Sequence, residues 1–111
     1  MATKMGRIVR WGRTGKTFTE AYLDSGARVE LPHELVDVAQ QLVAQRLVFV
    51  ERRGRLFHFV QWIGTPRQAR DAYDGGILKR GELTEEVLIE AIAEGPAGLR
   101  IAVAAMRGIK S

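Results

Sequence analysis

The chain contains no cysteine. That excludes disulfide scaffolds, thiolate zinc sites and cysteine nucleophiles. Asparagine is missing too. Both residues are thermolabile, so their joint absence fits a thermophilic source as well as it fits chance. No apolar run approaches the ~20 residues that span a bilayer. Residues 1–16 lack the apolar block of a signal peptide, so the expected location is the cytoplasm. Aromatic residues make up only 7% of the chain, and each ring can be placed individually.

What is present describes a globular protein. The 111 residues are 46% hydrophobic and 27% charged, which suits one domain spanning 1–111 with a core that needs no staples. The net charge is +4, and its distribution is more informative than its size. Residues 1–18 carry Lys4, Arg7, Arg10, Arg13 and Lys16 and no acid. Residues 46–70 carry Arg46, Arg52, Arg53, Arg55, Arg67 and Arg70 against Glu51 alone. Two basic segments interleaved with rings can make a phosphate-facing surface, or simply a solvated one.

Residues 6–12 alternate, with Ile8 and Arg10 on one face and Val9 and Trp11 on the other. A turn signal at Arg13–Lys16 leads to a second strand over 17–23, with Phe18 and Tyr22 on one side. Asp24-Ser-Gly26 turns the chain into a short strand over 27–31. After Pro32, the residues Leu35, Val38, Ala39, Leu42, Val43, Arg46 and Leu47 follow helical spacing. Residues 47–53 and 55–63 read as a second hairpin tipped by Arg52, Arg53 and Arg55. In it Phe57, Phe59 and Ile63 fall on one side, and Leu56, His58, Val60 and Trp62 on the other. One side can pack on helices; the other needs another element, a subunit or a ligand. Thr65-Pro66 opens a short helix over 66–73, Thr84 caps another, and 97–107 can form a last one. Strands on both sides of a helix, without regular βαβ alternation, give an α+β fold with a mainly antiparallel sheet.

Catalytic motifs fail on inspection. Gly12-Arg-Thr-Gly15-Lys16-Thr17 resembles the end of a phosphate-binding loop, but Arg10 stands where the first glycine belongs and a strand follows instead of a helix. His33 and His58 are the only histidines, with no spacing that suggests a metal. Ser25 and Ser111 lack a nucleophile-elbow sequence. The expectation is a protein that is not an enzyme and uses no cofactor or metal.

The strongest constellation is aromatic and basic: Arg10, Trp11, Lys16, Phe18 and Tyr22 from the first hairpin, and Arg52, Arg53, Arg55, His58 and Trp62 from the second. Rings stack on bases and cations track phosphates, so these ten residues form the expected site for single-stranded DNA or RNA. The competing reading of each ring is core, because large aromatics are mostly buried. Two other functions use the same segments. The second hairpin can be a partner interface of an interaction module, such as a phage or plasmid inhibitor or an assembly subunit. A helix followed by a basic-tipped hairpin also suits a winged-helix duplex DNA binder, although strands precede it where helices belong.

A Trp-bearing basic first hairpin, a helix, an aromatic second hairpin and C-terminal helices make the chain similar to the ThermoDBP-related archaeal single-stranded nucleic-acid-binding proteins. That resemblance implies an antiparallel sheet with helices forming a cleft for single-stranded DNA or RNA. The apolar heptad tail of a coiled-coil dimer is absent, so a homodimer stays open as an expectation.

Overall fold

Strands that alternate apolar and polar residues bury one side and need a second layer to bury it against. The computed structural model describes residues 2–55 and 58–94. Its strands are β1 (Ala2–Gly6), β2 (Ile8–Thr14), β3 (Phe18–Leu23), β4 (Arg28–Pro32), β5 (Leu47–Arg53) and β6 (His58–Gly64). Helix α1 (His33–Gln41) lies between β4 and β5, and α2 (Pro66–Asp74) and α3 (Glu85–Glu94) follow β6. The strands form two antiparallel three-stranded sheets, ordered β1-β5-β6 and β2-β3-β4, so the fold is α+β.

The strand expected over 6–12 is β2, and a further strand, β1, precedes it in the β1-β5-β6 sheet where none was expected. β1 pairs with β5, from Ala2 opposite Glu51 to Gly6 opposite Leu47. The chain then turns at Arg7 and enters the other sheet. Asp24 clamps this corner: its Oδ1 accepts from the Arg7 N–H at 3.0 Å, and its N–H donates to the Arg7 carbonyl at 2.9 Å. Gly6 is required there, since a Cβ would stand 2.7 Å from Asp24 Oδ1.

β5 explains the unbroken apolar run Leu47–Val50. Leu47 and Phe49 enter a core with Ile8, Ala21, Leu23, Val29 and Leu31 of the second sheet and Ala39 of α1. Val48 and Val50 point the other way, to Ala69 and Ala72 of α2 and Val87 of α3. The strand is therefore buried on both faces, as short continuous apolar runs often are. The second apolar face of the β5–β6 hairpin, open in the sequence, meets the β2-β3-β4 sheet. Each fully buried side chain of this kind contributes about 1.5–3 kcal/mol.

Two bulges overturn the expected faces. Ile8 pairs with Leu23 and Arg10 with Tyr22, so Val9 is an extra residue on β2. Val9 and Arg10 are both exposed, and Trp11 packs against the same core as Ile8. In β6, Val60 pairs with Glu51 and Trp62 with Val50, which leaves Gln61 over. Val60 and Ile63 therefore share the inter-sheet core, while Trp62 packs on the helical side. One added residue reverses the alternation beyond it.

Helix α1 is shorter than its periodicity suggests. It ends at Gln41, and Ala44 adopts φ 75°, a left-handed conformation that costs a non-glycine residue about 1–2 kcal/mol. Leu47 thereby enters β5 with its side chain fully buried. The α2 start is a reciprocal cap: Thr65 Oγ1 accepts from the Gln68 N–H at 3.2 Å, and Gln68 Oε1 accepts from the Thr65 N–H at 2.9 Å. Thr84 Oγ1 caps α3 through the Val87 N–H at 3.2 Å. The Arg67 N–H near the start of α2 donates to Glu94 at the end of α3 (3.1 Å), so the two helices run antiparallel. The helix expected over 97–107 lies outside the described residues, as do Leu56 and Phe57. Among the described residues, no helix is long and apolar enough to cross a membrane.

Candidate nucleic-acid interface

The outer face of the β2-β3-β4 sheet is set by alternation in β3. Thr19, Ala21 and Leu23 are buried, so Phe18, Glu20 and Tyr22 face outward. Opposite them on β4 stand Pro32, Glu30 and Arg28 respectively. On β2, Arg10 places its guanidinium carbon 4.1 Å from the Tyr22 ring centroid. Such a contact is worth about 0.5–1 kcal/mol at an exposed site. Gly12 leaves room for the ring to lie across β2, because a Cβ there would stand 2.7 Å from Tyr22 Cε2.

The charge on this face is mixed. Arg28 Nη1 donates to Glu20 Oε2 at 2.7 Å, and its Nη2 stands 3.9 Å from Glu30. Glu20 Oε1 accepts from the Arg13 N–H at 3.1 Å. That amide, and then the Arg28 charge, hold the Glu20 carboxyl below the ordinary 4.5. The β2–β3 turn closes with the Gly15 N–H on the Phe18 carbonyl at 2.7 Å, leaving Arg13 and Lys16 exposed. A pocket of about 360 Å³ opens between this turn and Glu20 and Glu30, with Phe18 in its lining.

Near this end the second hairpin, whose Val60 and Ile63 already pack on the sheet, adds a ring contact. Phe18 and Phe59 are 5.5 Å apart between centroids and tilted by 48°. Arg53 pairs with His58 near the β5–β6 tip. Both are exposed, as is Arg55 in the turn. The structure therefore gathers Arg10, Lys16, Phe18, Tyr22, Arg53, Arg55 and His58 on one sheet face and two neighbouring tips.

Three expected site residues turn inward. Trp11 packs on the inter-sheet core. Trp62 packs on the layer of Val48 and Val50 and covers Gly64, where a Cβ would stand 2.6 Å from its Cη2. Arg52 grips Glu82 with two hydrogen bonds of 2.8 and 2.7 Å and also donates to the Ile77 carbonyl at 3.1 Å. Glu20, Arg28 and Glu30 share this face but were not among the expected residues, and the alternation in 17–23 and 27–31 was their only signal. Arg13 stood in the basic segment and the turn signal and was left out of the expected set.

A second hollow, of about 460 Å³, lies between the α1–β5 connection and the end of α3. Of its charged lining, Arg46 Nε stands 3.0 Å from Glu90 and Glu94 accepts from the Arg67 amide, while Arg7 lines it as well. Among the described residues, no group of three His, Asp or Glu side chains is arranged to hold a metal. Four strands precede α1, where a winged helix has helices. No family model, curated protein or solved structure matches this chain.

Proposed function

We propose that the chain binds single-stranded DNA or RNA with little sequence preference and performs no chemistry. The observation that carries this reading is the convergence of two basic hairpin tips, joined by Phe18 and Phe59, beside an open sheet face bearing Arg10 and Tyr22. Tyr22 and Phe18 act as stacking platforms, each worth about 1–3 kcal/mol per base. Arg10, Lys16, Arg53 and Arg55 meet phosphates. Trp11, Trp62 and Arg52 are left out, because packing and Glu82 already occupy them.

Titrating labelled single strands and duplexes at several salt concentrations tests the reading. Single strands bind more tightly, and affinity falls linearly with salt on logarithmic axes. Replacing Arg10, Lys16, Arg53 and Arg55 together by Ala lowers the slope by about 0.7 per lost phosphate contact and leaves the melting temperature within a few degrees. Absence of single-strand binding at low salt ends this reading. A second reading, an interaction module for a protein partner, draws on the exposed Ile77 (60%), Ile89 (59%) and Ile92 (65%) of the helical side. It requires association that is insensitive to salt.

A further inference from the structure

The pocket beside the β2–β3 turn is not an ordinary phosphate site. Its cations, Arg13 and Lys16, are exposed, while Glu20 and Glu30 line it from the sheet. A phosphate seated against two carboxylates would be repelled, whereas one resting on Lys16 and Arg13 would not. The interior suits a neutral, flat group that donates hydrogen bonds. Glu20 already serves the Arg13 amide and the Arg28 guanidinium. Glu30 accepts no hydrogen bond from the described residues, its nearest cation being Arg28 at 3.9 Å. Its carboxylate is thus the acceptor left for a ligand, with Phe18 beside it.

We propose that this pocket is a guanine subsite. Guanine carries two parallel donors on one edge, N1–H and N2–H, and a carboxylate offers two oxygens to receive them. Adenine and cytosine set an acceptor beside their amine, which a carboxylate repels. Thymine flanks its single donor with two carbonyls. Glu30 takes the guanine edge, Phe18 lies along the base, and Lys16 and Arg13 meet the phosphate of the same nucleotide. The subsite rests on the single-strand reading for the source of its base, and it gives an otherwise tolerant surface a local preference. A free nucleotide offers the same chemistry.

The test titrates isotope-labelled protein with guanosine monophosphate and inosine monophosphate, which lacks only the N2 amine. Guanosine monophosphate shifts amides of residues 13–20 and 28–30 and binds roughly tenfold more tightly than the inosine form, as expected for one charge-assisted hydrogen bond. Glu30→Gln keeps the rest of the amide spectrum and brings the ratio close to one. Equal binding of the two nucleotides, a ratio that survives Glu30→Gln, or shifts confined to other residues overturns the proposal. A parallel series uses oligothymidine with one central guanine or hypoxanthine. Guanine preference in the strand supports the subsite with a strand as its source. Strand binding without preference overturns the subsite and leaves the broader reading standing. Nucleotide discrimination without any strand binding supports the subsite, assigns it to free nucleotides and removes the broader reading.

Discussion

Arg52→Ala gives the sharpest test of how the charges are divided between fold and surface. Glu82 is only 3% exposed in its side chain, and Arg52 is 22% exposed. The guanidinium supplies two hydrogen bonds to the carboxylate, and the Lys79 N–H supplies one more at 2.7 Å. Around them, Thr3 Oγ1 donates to the Glu82 carbonyl at 2.7 Å and so ties β1 to the same loop. Removing Arg52 leaves a buried carboxylate with one donor. Breaking a buried pair in this way costs about 3–5 kcal/mol. Water reaching the partly open Arg52 side reduces the loss to about 3 kcal/mol, or roughly 12–18 °C in melting temperature for a chain of this length. Arg53→Ala, one residue away on an exposed side chain, changes stability by about 0.5 kcal/mol or less. Urea unfolding at neutral pH, followed by circular dichroism, separates the two. The double variant Arg52→Met with Glu82→Leu regains most of the loss, because no charge is left stranded. An Arg52→Ala midpoint indistinguishable from that of Arg53→Ala would refute the assignment of Arg52 to the fold.

Trp62→Ala lowers stability by about 2–4 kcal/mol in the same urea experiment, since a half-buried ring leaves the Val48–Val50 layer. Thr65→Ala removes the α2 cap and lowers the unfolding free energy by about 1 kcal/mol with an unchanged urea slope. Acid unfolding follows from two carboxylates. Glu82 is held below the ordinary 4.5 first by Arg52 and then by the Lys79 amide, and Glu20 is held below it by the Arg13 amide and Arg28. A folded value below the unfolded one means that this stability is fully present above about pH 4.5 and is lost as pH falls through the lower folded values. The urea midpoint is therefore flat toward neutral pH from about pH 5 and drops below it, and Arg52→Ala shows a smaller drop.

The element order from the first hairpin to the last described helix was legible because turn and cap residues mark it: Gly26 at φ 88°, the Thr65–Gln68 box and Thr84. Three things were not legible. A bulge leaves the residue types unchanged while it reverses their faces, so Trp11 and Trp62 were assigned to surfaces they do not share. The Arg52 partner lies thirty residues downstream in an irregular loop, where no periodicity points to it. Strand β1 and the corner at Gly6-Arg7 were hidden, because residues 2–5 carry no alternation of apolar and polar groups strong enough to mark a strand before residue 6. The site was half legible. Lysines and arginines at turns announce their exposure, but the mixed charge around Glu20 and Glu30 depends on strand pairing, which residue types alone do not specify.

The corner strand has a consequence for assembly. β1 is joined to the rest of the chain only through Arg7, yet it completes a sheet whose central strand lies some forty-five residues further on. Among the described residues every other strand pairing joins sequence neighbours across a turn, so the β1–β5 pairing closes the longest loop and carries the largest closure entropy. Until it docks, one edge of β5 offers unpaired amides and carbonyls to any matching strand, including β1 of another molecule. Any exchange of β1 between two chains would hinge on the short connection at Gly6-Arg7 and would have to reuse the same five residue pairs, Ala2–Glu51 to Gly6–Leu47.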